Sequence, residues 1–158
     1  MASIILYISD RIIRWIFVLE TYSILDSIYY DPTTSDHTSN YYINTSGGAS
    51  LTYSNGYYIL GLGSSGNYTQ LSSLTNSVKG KTVNFEVDCV LDGASTRLEV
   101  YVDNTRVAYS NYSTENTTLQ VSNVEIPSSA SSVLFRIIRR YTNDGDSIKF
   151  KNFKVYPV

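Results

Sequence analysis

The sequence is short of the side chains on which most catalytic and metal-binding chemistry depends. It contains one cysteine and one histidine among its 158 residues. One cysteine excludes a disulfide within the chain, and together with one histidine it cannot supply the ligands of a zinc site. Nucleophilic catalysis needs a base, and His37 lies in a polar loop where an ordinary solvated histidine is expected.

Positive charge is also scarce. Twelve Lys and Arg residues stand against fourteen Asp and Glu, which gives a net charge of −2. This balance argues against nucleic acid as a partner, because nucleic-acid binding depends on clustered basic residues. Hydrophobic residues make up 42% of the chain, enough for a folded core, and the fifteen tyrosines are unusually many.

Alternating apolar residues between positions 81 and 110 predict β-strands. We expect Asp92-Gly93 and Asp103-Asn104 to reverse the chain, giving three consecutive antiparallel strands that a second sheet must cover. The residues predicted to share one core are Val83, Phe85, Val87, Cys89, Leu98, Val100, Phe135 and Ile137.

The remaining sequence continues as short strands separated by turn residues. Asn55-Gly56 predicts a tight hairpin, and residues 131–140 are apolar on both faces, which is typical of a central strand. A phase change predicts a β-bulge at Lys151-Asn152. About ten such strands, with no helix evident among them, predict an all-β antiparallel sandwich of the jelly-roll type over residues 25–158.

One stretch matches the dinucleotide fingerprint GxGxxG, at residues 61–66. A helix should follow this motif so that its N-terminus can receive the phosphate. The sequence after it continues as another strand, so we interpret the stretch as a loop.

Residues 1–24 differ from the rest and predict a helix. Its apolar residues fall at heptad positions a and d, namely Ile5, Ile8, Ile12, Trp15, Leu19 and Tyr22. Charged residues interrupt the apolar run and argue against a membrane span or a secretory signal. The helix either packs on its own domain, belongs to a preceding segment, or buries its stripe against copies of itself; the last arrangement predicts a homo-oligomer and favours a trimer.

Several segments of residues 25–158 resemble a known group of proteins. SIYYDPTTSD, SNGYYIL, VEIPSSASSVLFRI and the closing SIKFKNFKVYPV are similar to modules of phage tail and adhesin proteins. The closing strand resembles those of galactose-binding-like jelly rolls, the fold of many carbohydrate-binding modules. The resemblance implies a recognition module on a virion or cell surface.

The same resemblance bears on metal binding. Many such modules hold a structural calcium with acidic residues near the first strand and in the last strand. Lys151 stands where the family often has Asp, near Asp26 and Asp31 of the first strand. An ammonium group in place of the ion implies that the chain binds no metal, and no cofactor is expected.

The carboxylates do not form a pattern typical of an enzyme. Glu86, Asp88 and Glu99 are predicted on outward strand faces, as solvated surface residues usually are. We therefore expect a non-enzyme.

Tyrosines are the candidate ligand-binding residues, because sugar rings stack on aromatic faces while hydroxyl groups need polar partners. The candidates are Tyr57, Tyr58, Tyr68, Tyr109, Tyr112, Tyr141, Arg139 and Arg140, and Tyr101 and Arg136 share their outward or nearby positions. The leading hypothesis is an extracellular, non-catalytic module that binds a glycan or cell-surface receptor. The alternative is a purely structural virion or surface-layer sandwich that makes protein–protein contacts.

Overall fold

The computed structural model describes residues 27–43, 49–61, 68–71, 73–91, 94–140 and 147–158, with backbone only at Leu71 and Arg140. These residues form eleven strands, one short α-helix, α1 (Thr75–Val78), and a 3-10 helical turn at Thr38–Asn40. The strands are β1 (Tyr29–Asp31), β2 (Tyr42–Ile43), β3 (Ser50–Ser54), β4 (Tyr57–Gly61), β5 (Tyr68–Leu71), β6 (Thr82–Leu91), β7 (Ser95–Val102), β8 (Thr105–Tyr109), β9 (Thr117–Glu125), β10 (Val133–Arg140) and β11 (Ile148–Pro157).

The strands form two antiparallel sheets. The six-stranded sheet has the order β3-β4-β11-β6-β9, with β1 also paired to β11. The five-stranded sheet has the order β2-β5-β10-β7-β8. The prediction of an all-β antiparallel fold is confirmed.

One predicted connection is wrong. β6 and β7 were expected to be neighbours in a three-stranded meander, but β6 pairs with β11 and β9, whereas β7 pairs with β10 and β8. The chain therefore changes sheets between β6 and β7. Alternation of apolar and polar residues shows which face of a strand is buried, but not which sheet the strand belongs to. The sequence pattern therefore could not reveal this crossing. The predicted turn at Asp92-Gly93 lies outside the described residues.

Two predicted hairpins are confirmed. Asn55 and Gly56 join β3 to β4 with φ angles of 51° and 75°, and Asp103 and Asn104 join β7 to β8 with φ angles of 48° and 66°. Positive φ at both central residues matches the right-handed twist of the paired strands, which explains the Asn, Asp and Gly at these positions.

The long strands also follow their sequence patterns. β10, predicted to be central, is the middle strand of the five-stranded sheet. The β11 register shifts between Lys151 and Lys154, and Asn152 has a φ of 52°, which confirms the predicted bulge.

The predicted core is confirmed, since its eight residues are all buried. Phe85 of the six-stranded sheet meets Phe135 of the five-stranded sheet edge to face, with ring centroids 5.4 Å apart. Aromatic contact across the two sheets therefore joins them into one hydrophobic core.

α1 was missed because four residues are too few to show a helical period; it buries Val78 against the core. The predicted helix at residues 1–24, and with it the predicted self-association, lies outside the described residues. Among the residues that are described, no helix has the length and apolar character needed to cross a membrane.

Candidate functional site

The outer face of the five-stranded sheet carries a concentration of tyrosine and arginine. Leu98 and Val100 of β7 are buried in the core. Because side chains alternate along a strand, the intervening Glu99 and the following Tyr101 lie on the outer face. We call this surface the arginine–tyrosine face; it consists of Tyr42, Tyr68, Gln70, Arg97, Glu99, Tyr101, Arg106, Tyr109, Tyr112 and Arg136.

One row of side chains crosses all five strands of this sheet. The strand register places Tyr42 opposite Gln70, Gln70 opposite Arg136, Arg136 opposite Glu99, and Glu99 opposite Tyr109. At a strand spacing of about 4.8 Å the row extends for roughly 19 Å. Its two ends are exposed rings, since Tyr42 is 56% and Tyr109 57% exposed. The row is therefore polar in its centre and aromatic at both ends.

Glu99 was predicted to be a solvated surface residue, and this is wrong, because it is only 1% exposed. Its Oε1 accepts a hydrogen bond from Arg97 Nε at 2.8 Å and from Arg106 Nη1 at 3.0 Å, and Arg97 Nη2 also donates to it. Its Oε2 accepts from the Tyr101 hydroxyl at 3.1 Å. Long side chains that converge on the carboxylate cover it, so an outward position became a buried one.

Arg136 lies between two tyrosine rings. Its guanidinium carbon is 3.8 Å from the centre of the Tyr68 ring and 4.2 Å from that of Tyr101. Its Nε and Nη2 donate to Gln70 Oε1 at 3.2 and 2.9 Å. Stacking on both faces and hydrogen bonding at one edge fix the plane of this guanidinium.

The other two arginines also lie over tyrosine rings, Arg97 over two and Arg106 over one. The guanidinium carbon of Arg97 is 4.9 Å from the Tyr109 ring centre and 4.5 Å from that of Tyr112, and Arg106 is 4.9 Å from Tyr109. The Tyr109 ring therefore contacts two guanidinium groups while remaining more than half exposed.

Charges on the face are unbalanced. Its three arginines and one glutamate carry a formal charge of +2, whereas the whole chain carries −2. The hydrogen bond to Glu99 raises the pKa of Arg106, so this guanidinium stays charged. Burial raises the pKa of Tyr101, with a further contribution from the nearby Glu99 carboxylate, so its hydroxyl remains a donor.

The structure separates the predicted ligand-binding residues. Tyr68, Tyr109 and Tyr112 lie together on the arginine–tyrosine face. Tyr57 lies on the outer face of the six-stranded sheet, where Lys151 Nζ is 5.1 Å from its ring centre. Tyr141 and the side chain of Arg140 lie outside the described residues.

Two of the candidate ligand-binding residues are buried, and the predicted outward position of one of them, Tyr58, is wrong. Tyr58, expected on an outward position, is fully buried, because the adjacent Tyr57 takes the outward place on β4. Arg139 is 3% exposed, because it follows the core-facing Ile137 by two residues and so points to the same side of β10.

Tyr58 instead belongs to a cluster around a second buried carboxylate, that of Asp31. Asp31 Oδ2 accepts hydrogen bonds from the Tyr58 and Tyr41 hydroxyls at 2.7 and 3.0 Å. Its Oδ1 accepts from the Thr33 amide at 2.9 Å, and His37 Nδ1 lies 3.4 Å away. We call these five residues the Asp31 cluster; it joins β1, β4 and the loop between β1 and β2.

The Asp31 cluster bears on the predicted replacement of calcium. Within the described residues no ion pair joins Lys151 to Asp31, whose carboxylate is occupied by hydroxyl and amide donors instead. Asp26 lies outside the described residues. No group of three or more His, Cys, Asp or Glu among the residues described is arranged to hold a metal ion. That the chain binds no calcium stays a prediction.

Sequence reasoning missed much of the arginine–tyrosine face, in particular Tyr42, Gln70, Arg97 and Arg106. A signal was present on β7, where the outward positions read Arg97, Glu99 and Tyr101 at a spacing of two. Combining them with β5 and β10 required the register between strands distant in sequence, which periodicity does not supply.

Comparison with solved structures gives the same architecture. The C-terminal family 22 carbohydrate-binding module of Clostridium thermocellum Xyn10B matches with a TM-score of 0.59 and 14% identity, over 84% of this chain and 94% of that one. A tandem of family 22 modules from Paenibacillus barcinonensis Xyn10C matches with a TM-score of 0.61 and 16% identity, over 84% and 46% of the two chains. The enzymatically active domain of tailspike protein 4 from bacteriophage CBA120 matches with a TM-score of 0.53 and 9% identity, over 77% of this chain and 20% of that one.

At the level of sequence, no family model and no curated protein matches the chain. The likeness is therefore one of fold, and it confirms the resemblance to carbohydrate-binding modules at that level. The described residues have the jelly-roll fold that these modules share.

Proposed function

We propose that the chain is a non-catalytic recognition module that binds an extended glycan across the arginine–tyrosine face. The observation that carries the proposal is the row from Tyr42 to Tyr109, with an exposed ring at each end. Sugar rings present apolar C–H faces that stack on tyrosine, and their hydroxyl groups require planar polar partners. Gln70 and Arg136 supply such partners between the two rings.

The row also suits an oligosaccharide better than a single sugar. Its aromatic ends are on β2 and β8, the two edge strands of the sheet, so a ligand that contacts both must cross the whole sheet. The central side chains are already fixed by stacking and hydrogen bonds, which reduces the entropy lost when a ligand orders them.

The structural neighbours support this proposal. The modules from Clostridium thermocellum and Paenibacillus barcinonensis are carbohydrate-binding modules, and the phage neighbour is part of a tailspike protein. A module on an extracellular or virion surface accords with these neighbours. The structural alternative, a sandwich that makes only protein–protein contacts, requires no aligned row of stacked side chains on one face.

The test is binding of the full chain to immobilised polysaccharides, with xylan and polygalacturonate as probes. Tyr109→Ala and Tyr42→Ala should each weaken binding about fivefold, because each removes an aromatic contact worth roughly 1 kcal/mol. Tyr57→Ala is the matched control, since it removes a tyrosine from the opposite face of the molecule. An equal loss with Tyr57→Ala would favour the structural alternative.

A further inference from the structure

We infer that the glycan recognised by the arginine–tyrosine face is acidic and carries carboxylate groups along its length. The inference rests on the proposed function and concerns the chemical class of the ligand. Three guanidinium groups lie on this face with one carboxylate, in a chain whose net charge is negative. The excess of positive charge is thus local to the surface on which a ligand is proposed to lie.

Within the part of the chain that the structure describes, the hydrogen-bonding capacity of these guanidinium groups is used only in part. Arg97 and Arg106 share a single oxygen of Glu99, so two positive charges meet one negative charge. Among the described residues, Arg136 donates both of its hydrogen bonds to the neutral amide of Gln70. A guanidinium carries five N–H donors, so each of these groups has capacity for a further acceptor.

The geometry of the arginines suits a planar anion. Stacking on Tyr68 and Tyr101 holds the Arg136 guanidinium by its faces and leaves recognition to its edges. A carboxylate can accept two parallel N–H bonds from such an edge, which a hydroxyl group does less well. Arg106 has the accessible position, since its side chain is 39% exposed beside the exposed ring of Tyr109.

Arg136 and Arg106 also lie on different strands, β10 and β8, on either side of β7. Two charged positions on different strands of the face match a polymer that repeats its charge better than a ligand with one acidic group. A chain of uronic acid residues has this property, and its ring faces remain available to Tyr42 and Tyr109.

The experiment compares polygalacturonate with its fully methyl-esterified form, which keeps the sugar backbone and removes the charge. Alginate and hyaluronan provide two further carboxylated polymers, and xylan without uronic acid substituents provides a neutral one. The full chain should bind at least one carboxylated polymer about tenfold or more tightly than the neutral polymers, and added salt should weaken that binding.

Three substitutions locate the effect. Arg106→Gln and Arg136→Gln should each weaken binding to the carboxylated polymer about tenfold, because each removes a charge-assisted hydrogen bond. Lys149→Gln is the matched control, since it removes one positive charge from an exposed position on the other sheet. Arg106 is on an edge strand, whereas Arg136 is on the middle strand of the sheet. Arg106→Gln therefore still tests binding if Arg136→Gln impairs folding.

The outcomes separate the two proposals. If xylan or the esterified polymer binds as tightly as the best carboxylated polymer, the ligand is not selected for its charge. That result overturns the acidic ligand and leaves the glycan-binding function standing. An equal loss with Lys149→Gln also overturns it, because the attraction is then a property of total charge. Binding to none of the five polymers overturns both.

Discussion

The two buried carboxylates, Asp31 and Glu99, are stabilised in contrasting ways. Asp31 accepts hydrogen bonds from the hydroxyls of Tyr41 and Tyr58 and from a backbone amide, all within the interior. Glu99 accepts from two guanidinium groups on the outer face of the five-stranded sheet. Both are nearly inaccessible to solvent, so burial alone does not distinguish them.

The difference lies in the partners. The tyrosine hydroxyls and the backbone amide that donate to Asp31 are neutral and buried, and they have no access to water if the carboxylate is lost. The arginines around Glu99 keep contact with solvent and with tyrosine rings, so they can rearrange. The Asp31 cluster therefore contributes mainly to stability, whereas the Glu99 cluster orders a surface that presents charge.

Removing each carboxylate in turn is the strongest test of this comparison. Asp31→Ala should lower the free energy of unfolding by about 3 kcal/mol, because it leaves several buried donors without an acceptor. Glu99→Ala should lower it by about 1–2 kcal/mol, because the freed guanidinium groups can be hydrated. Urea denaturation of both variants measures the two values. Equal costs would show that the Glu99 cluster is as much a part of the interior as the Asp31 cluster.

Alkaline pH distinguishes the two clusters by a smaller effect. Burial and the Asp31 carboxylate raise the pKa of Tyr58, and burial raises that of Tyr41, so both hydroxyls keep their protons in the folded state. The unfolded chain loses these protons above about pH 10, and stability should therefore fall as the pH rises through this range. Each such group contributes a slope of at most about 1.4 kcal/mol per pH unit.

Tyr58→Phe should reduce the slope of the unfolding free energy against pH by the contribution of about one proton. Tyr101→Phe, beside Glu99, should reduce this slope less, because Tyr101 is only half-buried. Urea denaturation between pH 8 and about 11.5 measures the slopes. Both variants retain Cys89, whose pKa burial raises to about 12, so its contribution is common to them. If Tyr101→Phe reduced the slope more than Tyr58→Phe, the assignment of the two clusters would be reversed.

The sequence predicted the elements that depend on local chemistry. Asn55-Gly56 and Asp103-Asn104 require positive φ, and the phase change around Asn152 requires an extra residue, so the hairpins and the bulge could be inferred without a structure. The core residues could also be predicted locally, because alternation along a strand assigns each side chain to one face.

The candidate site was less predictable, because it depends on which strands become neighbours. Gln70, Arg136 and Glu99 are adjacent only through the pairing of β5, β10 and β7. Tyr57 and Tyr58 were both assigned to the surface, although alternation lets only one of two adjacent residues on a strand face outward, and here that residue is Tyr57. Glu99 was misjudged because a position on an outer face does not reveal the long arginines that cover it.

The smallest expected effect concerns calcium, which should not stabilise the protein through either carboxylate. A calcium ion takes six to eight oxygen ligands, mostly carboxylate and carbonyl oxygens. The oxygens of Asp31 are occupied by hydroxyl and amide donors, and those of Glu99 face two positive charges. Millimolar calcium and an excess of chelator should therefore give the same Tm for the full chain. A ligand that binds only the folded state must raise Tm, so a clear rise with calcium would mean that the ion binds elsewhere in the chain or displaces these donors.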